Sequence, residues 1–379
     1  MENKFIYILI LISVFTGGCS KRADLSEAQM ILEIDEADER QVVLSESVDY
    51  IKLETTEESM MKYINKVFID KKNEKVFVLA DFNILVFDYE GKFLYKLNKG
   101  KGPGEILAVV SFNVDVNNRE FYVLDQGRTM VWFDYSGKFI RTEPLTNFYS
   151  VDAYKKDDDE YYLLSNYVGK SVKNFVGVFN FTDNVITDQY VPFYYSSYPT
   201  NVLLSCQHFT KNNNQLLFYS SNVFGLFEFK NENFYPLIKL NIGEKKVPEE
   251  FSKHYEVRGK RAFRKEAIKR KYIPFMLYAF KFNNNYLLGL DDKTLSCYSV
   301  NVNDASDFTK QSSLPLYLGL PDLPSLKIPV GIQDDMIVLG CMPSDFYSDG
   351  ELDGDKKVTI ASKEIQINVN DNPILLLVR

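Results

Sequence analysis

Residues 75–97, KVFVLADFNILVFDYEGKFLYKL, and residues 120–145, EFYVLDQGRTMVWFDYSGKFIRTEPL, are two copies of one pattern. Each reads as a strand, an aspartate-containing turn, a strand ending Phe-Asp-Tyr, a glycine turn, and a strand opening on Gly-Lys-Phe. Aromatic and β-branched residues in short runs broken by Asn, Asp and Gly mark half-buried strands joined by tight turns. The equivalent residues Phe87 and Phe133 lie 46 positions apart, and Phe179 in VGVFNFTDNVI lies 46 further on. Weaker copies follow at 216–240, 286–300 and 327–343. A period of this length holding four strands is the unit of a β-propeller blade. Once two insertions at 241–275 and 342–372 are set aside, residues 47–379 hold about 5.8 repeats, which favours six blades over seven. The expected fold is therefore an all-β, six-bladed β-propeller.

A ring of blades must close, because an open first or last sheet leaves unpaired strand edges. The chain offers a matched pair for this: SVDYIKLET (47–55) precedes blade one, and NPILLLVR (372–379) ends an incomplete blade six. The N-terminal strand is expected to close the ring as the outermost strand of the last blade. The 241–275 insertion, between blades four and five, is expected to be helical. Pro248 followed by Glu249 and Glu250 makes a good helix start. Phe251 and Tyr255, then Phe263, Ala267 and Ile268, give apolar stripes broken at Gly259. From 245 to 271 there are eleven basic residues against four acids, a net +7 in a chain whose total is −8.

The chain opens MENKFIYILILISVFTGGCS, with Lys4, an uncharged run from Phe5 to Phe15, and small residues before Cys19. That run is too short to cross a bilayer and has the form of a secretory signal core. Thr16-Gly17-Gly18-Cys19 resembles a bacterial lipobox, although Thr16 stands where Leu is usual. The expectation is a signal peptide at 1–18, acylation at Cys19, and a polar lipid-anchored tether at 19–46. Cys206, Cys297 and Cys341 then remain, an odd number, each in an apolar strand-like context, so buried thiols are the expected state.

The lipoprotein start, the SVDYIKLETT strand, the KGKGPGE turn, the FYVLD and FDYSGKF blade motifs and the NPILLLV ending together resemble the six-bladed β-propeller lipoproteins of Bacteroidetes-type envelopes, relatives of NHL-repeat propellers. The resemblance covers nearly the whole mature chain and implies fold and location, not a reaction. Residues 20–22 do not form the acidic patch that accompanies surface export in these bacteria, so the periplasmic side of the outer membrane is expected over the cell surface.

NKGKGPGEIL (98–107) invites a phosphate-loop reading, but Glu105 and Ile106 stand where Lys-Ser/Thr is required and no helical period follows. It reads instead as the crossing from the outer strand of blade one to the inner strand of blade two. That crossing lies on the same face as the second-to-third-strand turns, which carry Asp81, Asp125, Asn166, Ser221 and Asp291. With Lys101, Glu105 and Arg128 nearby, these residues are the candidate binding ring. The competing reading is that each caps its own turn.

Two histidines, His208 and His254, cannot build a multi-histidine zinc site. Cys206 and His208 share a strand face, the only hint of a nucleophile and base. The acidic stretch 344–357 matches a calcium loop loosely, with Ile360 where a bidentate glutamate is needed. No cofactor and no metal are expected. Nucleic acid is excluded as a partner by export and a pI near 5.1. The functional expectation is a monomeric, non-catalytic binding or scaffold propeller for a glycan, peptide or envelope protein, held on the membrane by its lipid. The alternative is an envelope hydrolase or lyase using channel-mouth carboxylates.

Overall fold

The computed structural model describes residues 25–165, 174–192, 207–212, 214–221, 223–255, 260–323, 328–347, 354–360 and 363–379. Six four-stranded antiparallel units succeed one another along the chain. Blade one is built from Ile64–Asp70, Lys75–Ala80, Asn83–Asp88 and Phe93–Lys96, and blade two from Val109–Asp115, Glu120–Asp125, Thr129–Asp134 and Phe139–Pro144. Blade three runs Ser150–Lys155, Glu160–Ser165, Asn174–Asn180 and Val185–Pro192, and blade four Phe209–Asn212, Gln215–Tyr219, Gly225–Lys230 and Asn233–Asn241. Blade five comprises Met276–Phe282, Asn285–Leu290, Cys297–Asn301 and Asp304–Gln311. The repeat seen in sequence is a repeat in space: Phe87, Phe133 and Phe179 all occupy the third strand of their blades.

Blade six joins the two ends of the chain. Pro329–Gln333, Met336–Cys341 and Ile374–Val378 are completed by Val48–Lys52, with Val48 opposite Val378 and Lys52 opposite Ile374. The expected closure is the observed one. An extra hairpin, Asp355–Ile360 with Lys363–Asn368, fills the insertion between the second and third strands of this blade.

The abundance of Tyr (25) and Phe (29) has a packing reason. Blades stack face to face through their side chains, and large flat rings fill that gap at low entropic cost. Phe77 of blade one meets Phe121 of blade two at 5.2 Å between centroids, and Tyr162 of blade three meets Phe234 of blade four at 5.7 Å. Cys297 and Cys341 are buried free thiols, and burial pushes that of Cys297 up to about 12. Cys206 lies outside the described residues.

Residues 25–46 do not hang free as a tether would. Met30–Glu33 adds a fifth strand, parallel to Ile238–Asn241, at the outer edge of blade four. The segment then bridges to blade five at Asp38–Thr309, where Arg40 also pairs with Asp307. Its composition hid this, because only Leu25, Leu32 and Ile34 are buried while the acids around them face outward. The 241–275 insertion is helical as expected, with helices at Glu249–Tyr255 and Lys260–Lys269. Val247, Phe263, Ala267 and Phe275 form its own small core.

Candidate functional site

The innermost strand of each blade has no neighbour on its axial side, so its inward backbone groups and the polar side chains beside them need other partners. Among the described residues, five inner strands carry a β-bulge near their start, and the residues just past it are Lys66, Ser111, Asp152, Tyr278 and Gly331. Three of these meet at the axis. The Lys66 ammonium donates to Asp152 Oδ1 at 3.1 Å and to Ser111 Oγ at 3.2 Å, and Ser111 Oγ donates to the same carboxylate oxygen at 2.7 Å. The other oxygen, Oδ2, accepts the backbone N–H of His208 at 2.7 Å and that of Phe209 at 3.3 Å. Lys66 and Asp152 are 3 % and 1 % exposed. Charges so deep are tolerated only when paired and fully hydrogen-bonded, and these are.

The belt continues around the ring. The Gln207 amide exchanges two hydrogen bonds with the backbone of Ile332, at 2.8 and 3.0 Å, and Asn212 Nδ2 donates to the Asp334 carbonyl at 3.0 Å. Gln333 does the same for Ile69 of blade one, at 2.7 and 3.1 Å. Blades four and six are thereby joined directly across the inner end of blade five. The result is a polar belt drawn across the channel.

Beyond this belt, toward the turns joining first and second strands, the channel opens into a cavity of about 850 Å³. Lys66 lies at its neck, with Lys211, Gln333 and Asp334 on one wall and Asp115, Tyr122, Tyr154 and Lys155 on the other. Tyr154 is half-buried among groups of both charges, while Tyr122 is buried behind it and accepts the Lys155 N–H on its hydroxyl at 2.9 Å. Burial pushes the Tyr154 phenol up to about 12, with the Asp334 carboxylate adding to the effect, so it is a neutral hydroxyl. Lys155 Nζ pairs with Asp115 at 2.8 Å and with Asp158 at 3.4 Å. Burial works against ionisation of Asp115, but hydrogen bonds from Lys155 and the Asn118 N–H outweigh it and hold the carboxyl below the ordinary range.

The residues singled out from sequence sit at the other end of the channel. Asp81 Oδ2 accepts the Lys62 N–H at 2.9 Å, and Glu105 Oε2 accepts the Gly102 N–H at 2.7 Å. Asp125 Oδ1 accepts the N–H groups of Leu107 and Ala108 at 3.0 and 2.7 Å. Asp291, fully buried, is clamped by Arg264 of the helical insertion through two hydrogen bonds of 2.7 and 2.6 Å. Burial raises its carboxyl despite that cation. These four carboxylates each brace a crossing, a turn or the insertion, and among the described residues no hydrogen bond joins one of them to another. Lys101 and Arg128 are exposed on the same face, and Ser221 is buried with no partner for its hydroxyl among the described residues. Asn166 and Cys19 lie outside the described residues.

His208 is buried at the belt, its Nδ1 3.2 Å from the Tyr219 carbonyl. In the acidic loop, Asp349, Glu351 and Asp353 fall outside the described residues, while Asp345 accepts the Met342 N–H at 2.7 Å. Sequence reasoning missed Lys66, Ser111 and Asp152. Their signal was present: each is a polar residue inside an apolar run (YINKVFID, AVVSFNV, SVDAYK) that opens a blade. They lie on the first strand of each blade, outside the second-to-fourth-strand pattern that carries the repeat.

The chain belongs to the family of the domain of unknown function DUF4934, whose profile matches residues 31–379. Among solved structures it is similar to a Bacteroides fragilis protein described as exported, at 16 % identity and TM-score 0.70, covering 92 % of this chain and 99 % of that one. It is also similar to the WD40 repeats of RRP9, at 10 % identity and TM-score 0.46, covering 89 % of this chain and 99 % of that one. No curated protein matches in sequence. Among the described residues no helix is long and apolar enough to cross a membrane.

Proposed function

We propose that this protein is a lipid-anchored propeller of the bacterial envelope that binds a short peptide or oligosaccharide without transforming it, and that the ligand occupies the funnel above the polar belt. The supporting observation is the lining of the 850 Å³ cavity, where lysines, aspartates and side-chain amides converge beside Tyr154. Concave sites with a few convergent polar groups beside aromatic surface are the usual form of a binding pocket. Envelope location rests on the signal-like start and the lipobox at Cys19, together with the resemblance to exported lipoprotein propellers. Acylation is tested by labelling with a fatty-acid analogue, where Cys19→Ala must abolish incorporation.

The hydrolase or lyase alternative requires an acid and a base within reach of one substrate atom. The belt supplies a poor base: the Asp152 carboxylate already accepts from Lys66, Ser111 and three backbone N–H groups, those of Ala153, His208 and Phe209. Thermal-shift titration with muropeptides, chito-oligosaccharides and mixed tripeptides tests the binding reading, since a ligand that prefers the folded state raises its stability by mass action. A saturable shift is expected with one class, lost in the paired variant Lys211→Ala, Asp334→Ala and kept in Arg128→Ala. A shift lost in Arg128→Ala and kept in the funnel variant would move the site to the opposite face and refute the assignment.

A further inference from the structure

The face on which strands cross between blades carries an apolar patch that the fold does not explain. Met60, Tyr63, Phe82 and Leu107 are 61 %, 40 %, 52 % and 40 % exposed. They form one patch: the rings of Tyr63 and Phe82 meet edge to face at 6.4 Å, the Lys62 N–H bonds to Asp81, and the Phe82 carbonyl accepts the Val109 N–H at 3.0 Å. Backbone geometry sharpens the point. Asp81 and Phe82 both take positive φ, +48° and +59°, a turn that favours Asn-Gly. The corresponding turn of blade two has Gly127 at φ +68°. A bulky side chain in the left-handed region is strained, and here that strain gains no burial within the chain.

The same face holds the basic insertion, net +7 over 245–271, set over it by the Arg264–Asp291 clamp. Lys246, Lys265, Lys269 and Lys271 are exposed there, as are Lys62, Lys99 and Lys101 beside the apolar patch. Glu57, Glu58 and Glu105 offset the lysines around blade one, so the attraction for anions comes mainly from the insertion. Leu25 packs against Gly225, the first residue of the third strand of blade four, which lies at this same end. Five residues separate Cys19 from Leu25, a reach of roughly 20 Å at full extension. The acyl chain, the basic insertion and the apolar patch would therefore all lie on one side of the ring.

We propose that the strand-crossing face is a membrane-docking surface, with Phe82, Tyr63, Met60 and Leu107 entering the interface and the insertion pairing with anionic phospholipid headgroups. Apolar and aromatic side chains set among lysines suit that boundary. Blades one and four are opposite in a six-membered ring, so the patch and the lipid hold the propeller at two opposed points. The funnel then opens away from the bilayer. The inference rests on the envelope reading above, but its test does not require acylation.

The chain from residue 20 onward, which carries every strand of the closed ring and lacks Cys19, is floated with vesicles of equimolar phosphatidylglycerol and phosphatidylcholine, and with phosphatidylcholine alone. Co-flotation is expected with the first and not the second, weakening as salt is raised. Phe82→Asn should lower partitioning about fivefold while leaving the thermal midpoint equal or higher, because Asn accepts the left-handed turn. A variant that simply misfolded could not satisfy both readouts. No flotation with the mixed vesicles at low salt, or equal flotation of Phe82→Asn, overturns the proposal. Binding to native envelope membranes but not to lipid vesicles also overturns it, in favour of a protein partner. No fatty-acid labelling of the unmutated chain, or labelling that survives Cys19→Ala, would refute the anchor alone.

Discussion

The two ends of the channel use the same residue types for different work. At the belt, Lys66, Ser111 and Asp152 come from three blades, meet at the axis and are almost fully buried. At the strand-crossing face, Asp81, Glu105 and Asp125 bond to backbone N–H groups of nearby linkers and stay partly in water. The difference is one of dielectric and of chain separation. A carboxylate that joins distant blades in a dry environment carries a large penalty if its partner is lost. One that braces a surface linker is worth about as much as an ordinary cap.

Mutation can break this comparison. The largest effect is expected from Asp152→Ala, which leaves the Lys66 ammonium buried without its counter-ion and strips the N–H groups of His208 and Phe209. A loss of about 3–5 kcal/mol in unfolding free energy by denaturant titration is expected. A loss below about 1 kcal/mol would mean that the belt is not the bracing it is taken to be.

Arg264→Ala probes the intermediate case, because Asp291 is fully buried while Arg264 is half exposed. A cost of about 2 kcal/mol is expected, together with faster amide exchange over 249–269 than elsewhere. The pH dependence carries a definite sign. An acid whose folded pKa lies above its unfolded value favours the fold at low pH and loses that contribution as pH rises through the folded pKa. Removing the cation raises the Asp291 carboxyl further, so the variant should recover part of its deficit on acidification from neutral pH. A pH-independent deficit would show that the clamp acts through packing alone.

The smallest effect is expected from Asp125→Ala, which frees the N–H groups of Leu107 and Ala108 at a partly solvated linker. A cost of about 1 kcal/mol is expected, seen as a modest fall in thermal midpoint. A loss equal to that of Asp152→Ala would erase the contrast between the two ends.

The period of 46 between Phe87, Phe133 and Phe179 was enough to place the first three blades and to predict a ring, because strand alternation and turn chemistry are local properties repeated along the chain. The closure of Val48–Lys52 against Ile374–Val378 was legible for a related reason: two unpaired strands in a ring have only each other. The docking of residues 30–33 on blade four was not legible, since an edge strand with one buried leucine has the composition of a tether. Among candidate site residues, Asp81, Asp125 and Asp291 were correctly placed on one face. What each holds could not be read from its neighbours in sequence, and for Asp291 the partner lies 27 residues away on a helix.

Sequence alone therefore determined the number of blades, the way the ring closes, and which turns share a face, because these follow from short-range pattern and from the need to pair every edge. Only the tertiary structure decided which polar residues meet. Lys66 and Asp152 are 86 positions apart, and nothing in either strand specifies the other. They come together because a bulge at the same place in successive inner strands brings the next side chain to a common axis, where burial leaves a charge no partner but another strand's charge.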